Sequence, residues 1–203
     1  MSTRGRILAR LKERRSQHAP APERVYRTAP VLGPDFIEQF CQRVVPLGND
    51  LVRVASVSDA PAAVARYLAA HAIPLRAVCW PELLALPWRE AAVAVEARAA
   101  RGDDLVGITG VFAAIAETGT LMLVSGAETP ATVSLLPETH VAIVPASAVV
   151  ATMEDAWARR RAQTAMPRAV NFVSGPSRTA DVEQTVTLGA HGPRRVLLVV
   201  VER

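Results

Sequence analysis

The chain has 203 residues, half of them hydrophobic and only 4% aromatic, with a net charge of +4. A chain of this size buries roughly 70% of its unfolded surface as one domain, so it needs no metal or disulfide staple to fold. The scarcity of aromatic residues argues against an aromatic-rich β-sandwich and against a base-stacking nucleic-acid platform.

The positive charge sits at one end. Residues 1–30 hold eight basic residues against Glu13 and Glu23, whereas the rest of the chain holds fifteen basic against seventeen acidic residues. Ile7, Leu8 and Leu11 have helical spacing, so this segment reads as a basic amphipathic helix, and Pro20-Ala-Pro22 reads as a short semi-rigid linker. The reading favoured for this segment is a solvated helix; a basic tail can also attract nucleic acid, an anionic membrane or an acidic partner, and without aromatic platforms or a recognition helix a nucleic-acid-binding function is disfavoured. The expected organisation is a basic helix and linker over 1–30 and one α/β domain over 31–203.

Cys41 and Cys79 lie far apart and form no Cys-x-x-Cys pair. They are expected to be reduced, buried residues of a cytoplasmic protein, and the chain is expected to hold no cluster, metal or other cofactor by itself. No run approaches the ~20 apolar residues that span a bilayer; VAIVPASAVVATM is short and broken by Pro145 and Ser147.

After the linker, Asp35 to Val45 predicts a helix started by Pro34 and Asp35 and stopped by Pro46 and Gly48. An alternation follows. LVRVAS (51–56) predicts a strand, Ser58-Asp59-Ala60-Pro61 caps an alanine-rich helix through His71, and AVCW (77–80) predicts a strand. Pro81 to Leu86 predicts a short helix, with AAVAVE (91–96) the next strand. LVGIT (105–109), TLMLVS (120–125), HVAIVP (140–145), NFVS (171–174) and VLLVVVE (196–202) complete the strands. VFAAIAE (111–117) is expected to be helical, and Val149 to Thr164 is the clearest helix. Short apolar runs without polar alternation are expected of strands covered on both faces. The fold class is therefore α/β: a three-layer α/β/α sandwich around a mostly parallel sheet. The crowding between 105 and 125 leaves room for an antiparallel insertion there.

Three polar clusters interrupt the apolar alternation. In Gly107-Ile-Thr109-Gly110 two glycines flank a threonine at a strand end. In Glu117-Thr118-Gly119-Thr120 the glycine fits a helix C-terminus and the threonines offer hydroxyls. Glu117, set between AAIA and TGTLML, is either an exposed helix-end residue or a general base or carboxylate nucleophile. The third cluster is Ser174-Gly175-Pro176-Ser177-Arg178-Thr179. Ser177 or Thr179 is expected to cap a following helix whose free amides hold an anion, with Arg178 as a bidentate clamp. Asp181 and Glu183 would repel that anion unless one pairs with Arg178. His191, in Ala-His-Gly-Pro, either moves a proton or closes its turn. No pair of histidines has zinc-binding spacing.

Taken together, IAETGTLML, SLLPETHVAIVP, SGPSRTADVE and LGAHGPRRVLLVV resemble the lactate-utilization protein C family, the LUD-domain proteins, over Ile115 to Val201. The resemblance implies a fold similar to the sugar-isomerase and CoA-transferase sandwiches. It implies a part in oxidising L-lactate to pyruvate as an accessory component beside iron–sulfur oxidoreductase partners, and it marks Glu117, Thr118, Gly119, Thr120, Ser174 to Thr179, Asp181 and His191 to Pro193. On this reading Arg178, Ser177 and Thr179 hold a small carboxylate while Glu117 and His191 handle protons. Glu117, Arg178 and His191 are then expected to converge on one cleft at the carboxyl edge of the sheet. The alternative is a stand-alone transferase or isomerase for a CoA-linked or phosphorylated metabolite, with Glu117 as nucleophile or base.

Overall fold

The computed structural model describes residues 3–16, 35–163, 166–179 and 187–202. The chain divides into two compact units, Met1–Pro30 and Val31–Arg203. In the first, the described part is helix α1 (Thr3–Ser16), on which Ile7, Leu8 and Leu11 are exposed. The linker expected at Pro20 to Pro22 lies outside the described residues.

The second unit opens with α2 (Phe36–Val44), whose N-cap Asp35 accepts a hydrogen bond from the Glu38 amide at 3.0 Å. Its Phe40, Cys41 and Val44 form a buried stripe at helical spacing. Six strands follow the expected alternation: β1 (Asp50–Val54), β2 (Arg76–Cys79), β3 (Ala94–Ala97), β4 (Val106–Thr109), β7 (Thr139–Pro145) and β12 (Arg195–Val201). They form one sheet in the order β1-β12-β7-β4-β2-β3, every neighbouring pair parallel. Helix α3 (Ala60–Ala70) packs on one face, where Val64 and Leu68 meet Leu197, Val199 and Val141. On the other face Phe40 and Val44 of α2 meet Leu198, Val200 and Val144. Covering both faces is what allows β7 and β12 to be apolar without alternation.

A second sheet departs from the expected helix at 111–117. β5 (Ala113–Ile115), β6 (Thr120–Val124), β8 (Val149–Val150) and β9 (Val170–Val173) pair in the order β8-β5-β6-β9, with β5 and β6 antiparallel. Alanine fits either state, and the decisive feature is period two: Ala113 and Ile115 face Ala156 of α5 (Met153–Arg161), while Ala114 and Ala116 face the α2 side of the main core. Helix α5 starts at Met153, four residues later than the run from Val149 suggests, because Val149 and Val150 pair with β5. Trp80 and Trp88 lie in the α3-side cluster, with their indole N–H groups donating to the Pro130 and Leu83 carbonyls. Trp157 of α5 instead meets Phe172 edge-on, ring centroids 5.8 Å apart.

The backbone of a short helix, α4 (Thr132–Leu135), lies directly over β4. A Cβ on Gly107 would overlap the Val133 carbonyl oxygen and stand 2.9 Å from the Pro137 ring. Cys41 and Cys79 are free and buried in separate clusters. Burial raises both thiols, that of Cys79 to about 11. No described helix is long and apolar enough to cross a membrane.

Candidate functional site

Two of the polar clusters meet through strand register. Gly119, at φ +67°, closes the turn from β5 to β6, and its amide donates to the Ile115 carbonyl at 2.9 Å. Because β6 pairs with β9 as Leu121 with Val173, the next positions along, Thr120 and Ser174, face each other. Their hydroxyls are 2.8 Å apart, and Thr118 Oγ1 donates to Thr120 Oγ1 at 2.8 Å. Thr118, Thr120 and Ser174 thus form one line of hydroxyls, with the buried Thr120 between the exposed Thr118 and Ser174.

This line is seated on the loop between α2 and β1, a segment that motif reading passed over. A Cβ on Gly119 would stand 3.0 Å from Arg43 Cβ and 3.2 Å from Leu47 Cδ1; one on Gly175 would stand 2.8 Å from the Leu47 carbonyl oxygen. Gly175 is also at φ +134°, a conformation that side chains rarely adopt, so its glycine is required twice over. Arg178 reaches the same spot, donating from Nη2 to the Leu47 carbonyl at 3.1 Å.

The residues after Ser177 are not a helix start. Arg178 and Thr179 form β10 (Arg178–Thr179), antiparallel to β11 (Thr187–Leu188). Ladder pairing at this point replaces the row of free amides that an anion-binding helix terminus would present. Asp181 and Glu183 lie outside the described residues. Ser177 is held by the Ala-His-Gly-Pro loop: its amide donates to the Pro193 carbonyl at 2.8 Å and its carbonyl accepts from the Gly189 amide at 2.9 Å. A Cβ on Gly192 would stand 3.4 Å from Ser177 Cβ.

Glu117, Arg178 and His191 do not share the cavity on which His191 opens. His191 is exposed and lines a cavity of about 490 Å³ with Leu135, Leu136, Leu188 and the ion pair of Arg194 with Glu138 at 2.8 Å. Neither Glu117 nor Arg178 lines that cavity. Glu117 is half-buried at the end of β5; its amide donates to the Ala151 carbonyl at 3.0 Å, and among the described residues its carboxylate has no partner. Thr109 is fully buried, sharing a 2.8 Å hydrogen bond between its Oγ1 and His140 Nε2. His140 is itself fully buried with Nδ1 unpartnered, and burial pushes its imidazole down to about 4. Sequence reasoning did not single it out; the signal that could have found it is a histidine set directly before the apolar run Val141 to Val144 of β7.

The edge of the sheet differs from expectation. Leu47 to Asn49 lead into β1, Glu138 into β7 and Pro193-Arg194 into β12, and these strands are parallel. The Gly175, Ser177, Arg178 and His191 segments accordingly gather at the amino edge, not the carboxyl edge. The chain routes them there because Pro193 and Arg194 must enter β12 from below while Ser177 is bonded to Pro193.

The family model described as the LUD domain matches residues 82–201, more than half of the chain. The chain belongs to the LUD-domain family. Its relatives include a protein of Bacillus licheniformis named "Lactate utilization protein C", 36% identical over 128 residues, which are 61% of this chain and 53% of that one. A protein of the same name from Bacillus subtilis is 39% identical over 100 residues, 47% of this chain and 42% of that one. The chain spans about half the length of these curated relatives. A crystal structure of a DUF162 family protein from Deinococcus radiodurans superposes with a TM-score of 0.61 at 24% identity, covering 82% of this chain and 96% of that one, and shares the fold. Every candidate residue from Thr109 to His191 lies inside the LUD match, whereas Leu47 and Gly48, on which the site is seated, precede it.

Proposed function

We propose that this LUD-domain protein acts in lactate utilization, as an accessory component of a cytoplasmic L-lactate oxidation system that binds a small carboxylate or similar anion and works with iron–sulfur partner proteins. The observation that carries the reading is the line of hydroxyls Thr118, Thr120 and Ser174 beside Arg178, within the part of the chain that resembles proteins named for lactate utilization. Arg178 commits one donor to Leu47 and keeps the remainder of an exposed five-donor fork for a carboxylate. Thr118 donates to Thr120, so a chain running on from Thr120 to Ser174 leaves the Ser174 hydroxyl to donate to the ligand, and no side chain of this site carries electrons, so oxidation belongs to a redox group in another chain. A clean deletion is expected to abolish growth on L-lactate, and tagged protein is expected to co-purify with iron–sulfur subunits; normal growth of the deletion strain sinks the reading. Arg178→Met is expected to weaken lactate or pyruvate binding at least about tenfold by calorimetry, with Arg178→Lys in between.

A second reading is favoured by one observation, the half-buried Glu117 carboxylate, which has no partner among the described residues. In a stand-alone transferase for CoA-linked or phosphorylated metabolites, that oxygen attacks an acyl thioester, forming a mixed anhydride and releasing the CoA thiolate. Intact-mass spectrometry after incubation with acyl-CoA donors is then expected to show an adduct absent from Glu117→Gln. No adduct with any donor removes this reading and leaves the first untouched.

A further inference from the structure

Helix α1 presents Ile7, Leu8 and Leu11 at 56%, 49% and 59% exposure, three large aliphatic side chains within five residues. At 3.6 residues per turn they fill an arc of roughly 100°. Arg10 and Lys12 flank that arc on its two sides, Arg4 lies within it one turn earlier, and Gly5, Arg6, Ala9 and Glu13 take the opposite side. From Thr3 to Lys12 there is no acidic residue. A helix that packs on its own protein sorts apolar from charged residues to opposite faces. In α1 Arg4, Arg10 and Lys12 stand within or beside the apolar arc, and Arg6 lies behind with the small and acidic residues. That order matches a surface that is anionic where it meets water and apolar immediately beneath, because arginine and lysine lay their methylene stems along the apolar layer while their heads reach outward.

We propose that α1 is a membrane-surface helix, lying in the plane of an anionic bilayer with Ile7, Leu8 and Leu11 at the acyl boundary and Arg4, Arg10 and Lys12 among lipid phosphates. Charge complementarity together with the aliphatic arc selects this occupant. Duplex nucleic acid offers phosphates but no apolar layer, and residues 3–13 supply no aromatic or amide side chain to stack on or read a base. The helix is too short and too charged to cross the bilayer, so attachment is peripheral and reversible. It needs both parts: the cations are attracted over a Debye length and are screened by salt, and the aliphatic side chains insert without regard to salt.

The full chain is tested by co-sedimentation with vesicles of phosphatidylglycerol mixed with phosphatidylcholine and with pure phosphatidylcholine vesicles. It is expected to bind the anionic vesicles at least about tenfold more strongly, with most of that preference lost between about 0.05 and 0.5 M salt. The triple variant Ile7→Ser, Leu8→Ser, Leu11→Ser is expected to bind anionic vesicles at least about tenfold more weakly, and Arg4→Gln, Arg10→Gln, Lys12→Gln to lose the salt-dependent part. The proposal is overturned by absent binding to anionic vesicles, by equal binding of a chain lacking residues 1–30, or by undiminished binding of the triple serine variant. Tighter binding to duplex DNA or to polyglutamate than to anionic vesicles, with the serine variant equal to the parent, overturns it in favour of a nucleic-acid or acidic-protein partner.

Discussion

Gly107→Ala is expected to lower the melting temperature by roughly 6–12 °C, the equivalent of about 3 kcal/mol in a chain of this length. The added methyl would occupy the position of the Val133 carbonyl oxygen and press on the Pro137 ring. Neither side can yield cheaply. β4 is held between β2 and β7 by parallel pairing, and α4 is fixed by the buried Val133 and Ser134, the latter donating from Oγ to the Ala131 carbonyl at 3.0 Å. The φ of Gly107 is ordinary, so the cost is one of space rather than of backbone conformation. Thermal denaturation of Gly107→Ala beside Gly102→Ala checks this, since a Cβ on Gly102 meets nothing within 4 Å. Equal melting temperatures would mean that α4 moves freely over the sheet.

The second large effect is acid sensitivity centred on His140. The ring is fully buried and has no counter-charge among the described residues, so the folded state holds it neutral down to about 4, whereas the unfolded chain takes up a proton near 6.5. Between those values the unfolded state binds more protons than the folded state, so stability is complete above about pH 6.5 and falls as pH drops towards 4. The loss is on the order of 3 kcal/mol over that window. Asp104 works in a lower range: its hydrogen bonds from Arg98 hold its carboxyl below the usual value, so its contribution is retained above the ordinary carboxylate pKa and lost only as pH falls further. Denaturant midpoints from pH 7 to pH 4 should therefore show a slope in the parent that is reduced in His140→Gln. Parallel curves for the two proteins would show that the ring reaches solvent or a counter-charge before the fold opens.

The main sheet was legible because its determinants are local. The carboxylate of Asp35 caps α2, and the apolar runs of β7 and β12 are what strands covered on both faces require. Residues 113–116 were misread because alanine satisfies a helix and a buried strand equally, and only pairing with Thr120 to Met122 decides between them. β10 was misread for a similar reason: the serine, threonine and acidic residues after Gly175 carry capping chemistry, yet Leu188 arrives from ten residues away to pair with Arg178. Within the candidate site, the residue types were legible and their grouping was not. Thr120 meets Ser174 only through the register of β6 and β9, Thr109 faces inward to His140 because β4 lies beside β7, and Leu47 bears no chemistry that would single it out. Which end of a parallel sheet a loop occupies depends on the strand it enters, and that is a property of topology rather than of motif.

The separation of the indoles has a practical consequence. Trp80 and Trp88 are chromophores of the α3-side core, whereas Trp157 belongs to the layer formed by α5 and the smaller sheet. In a Trp80→Phe, Trp88→Phe protein the remaining emission reports on that layer alone, so its loosening can be timed separately from collapse of the parallel sheet.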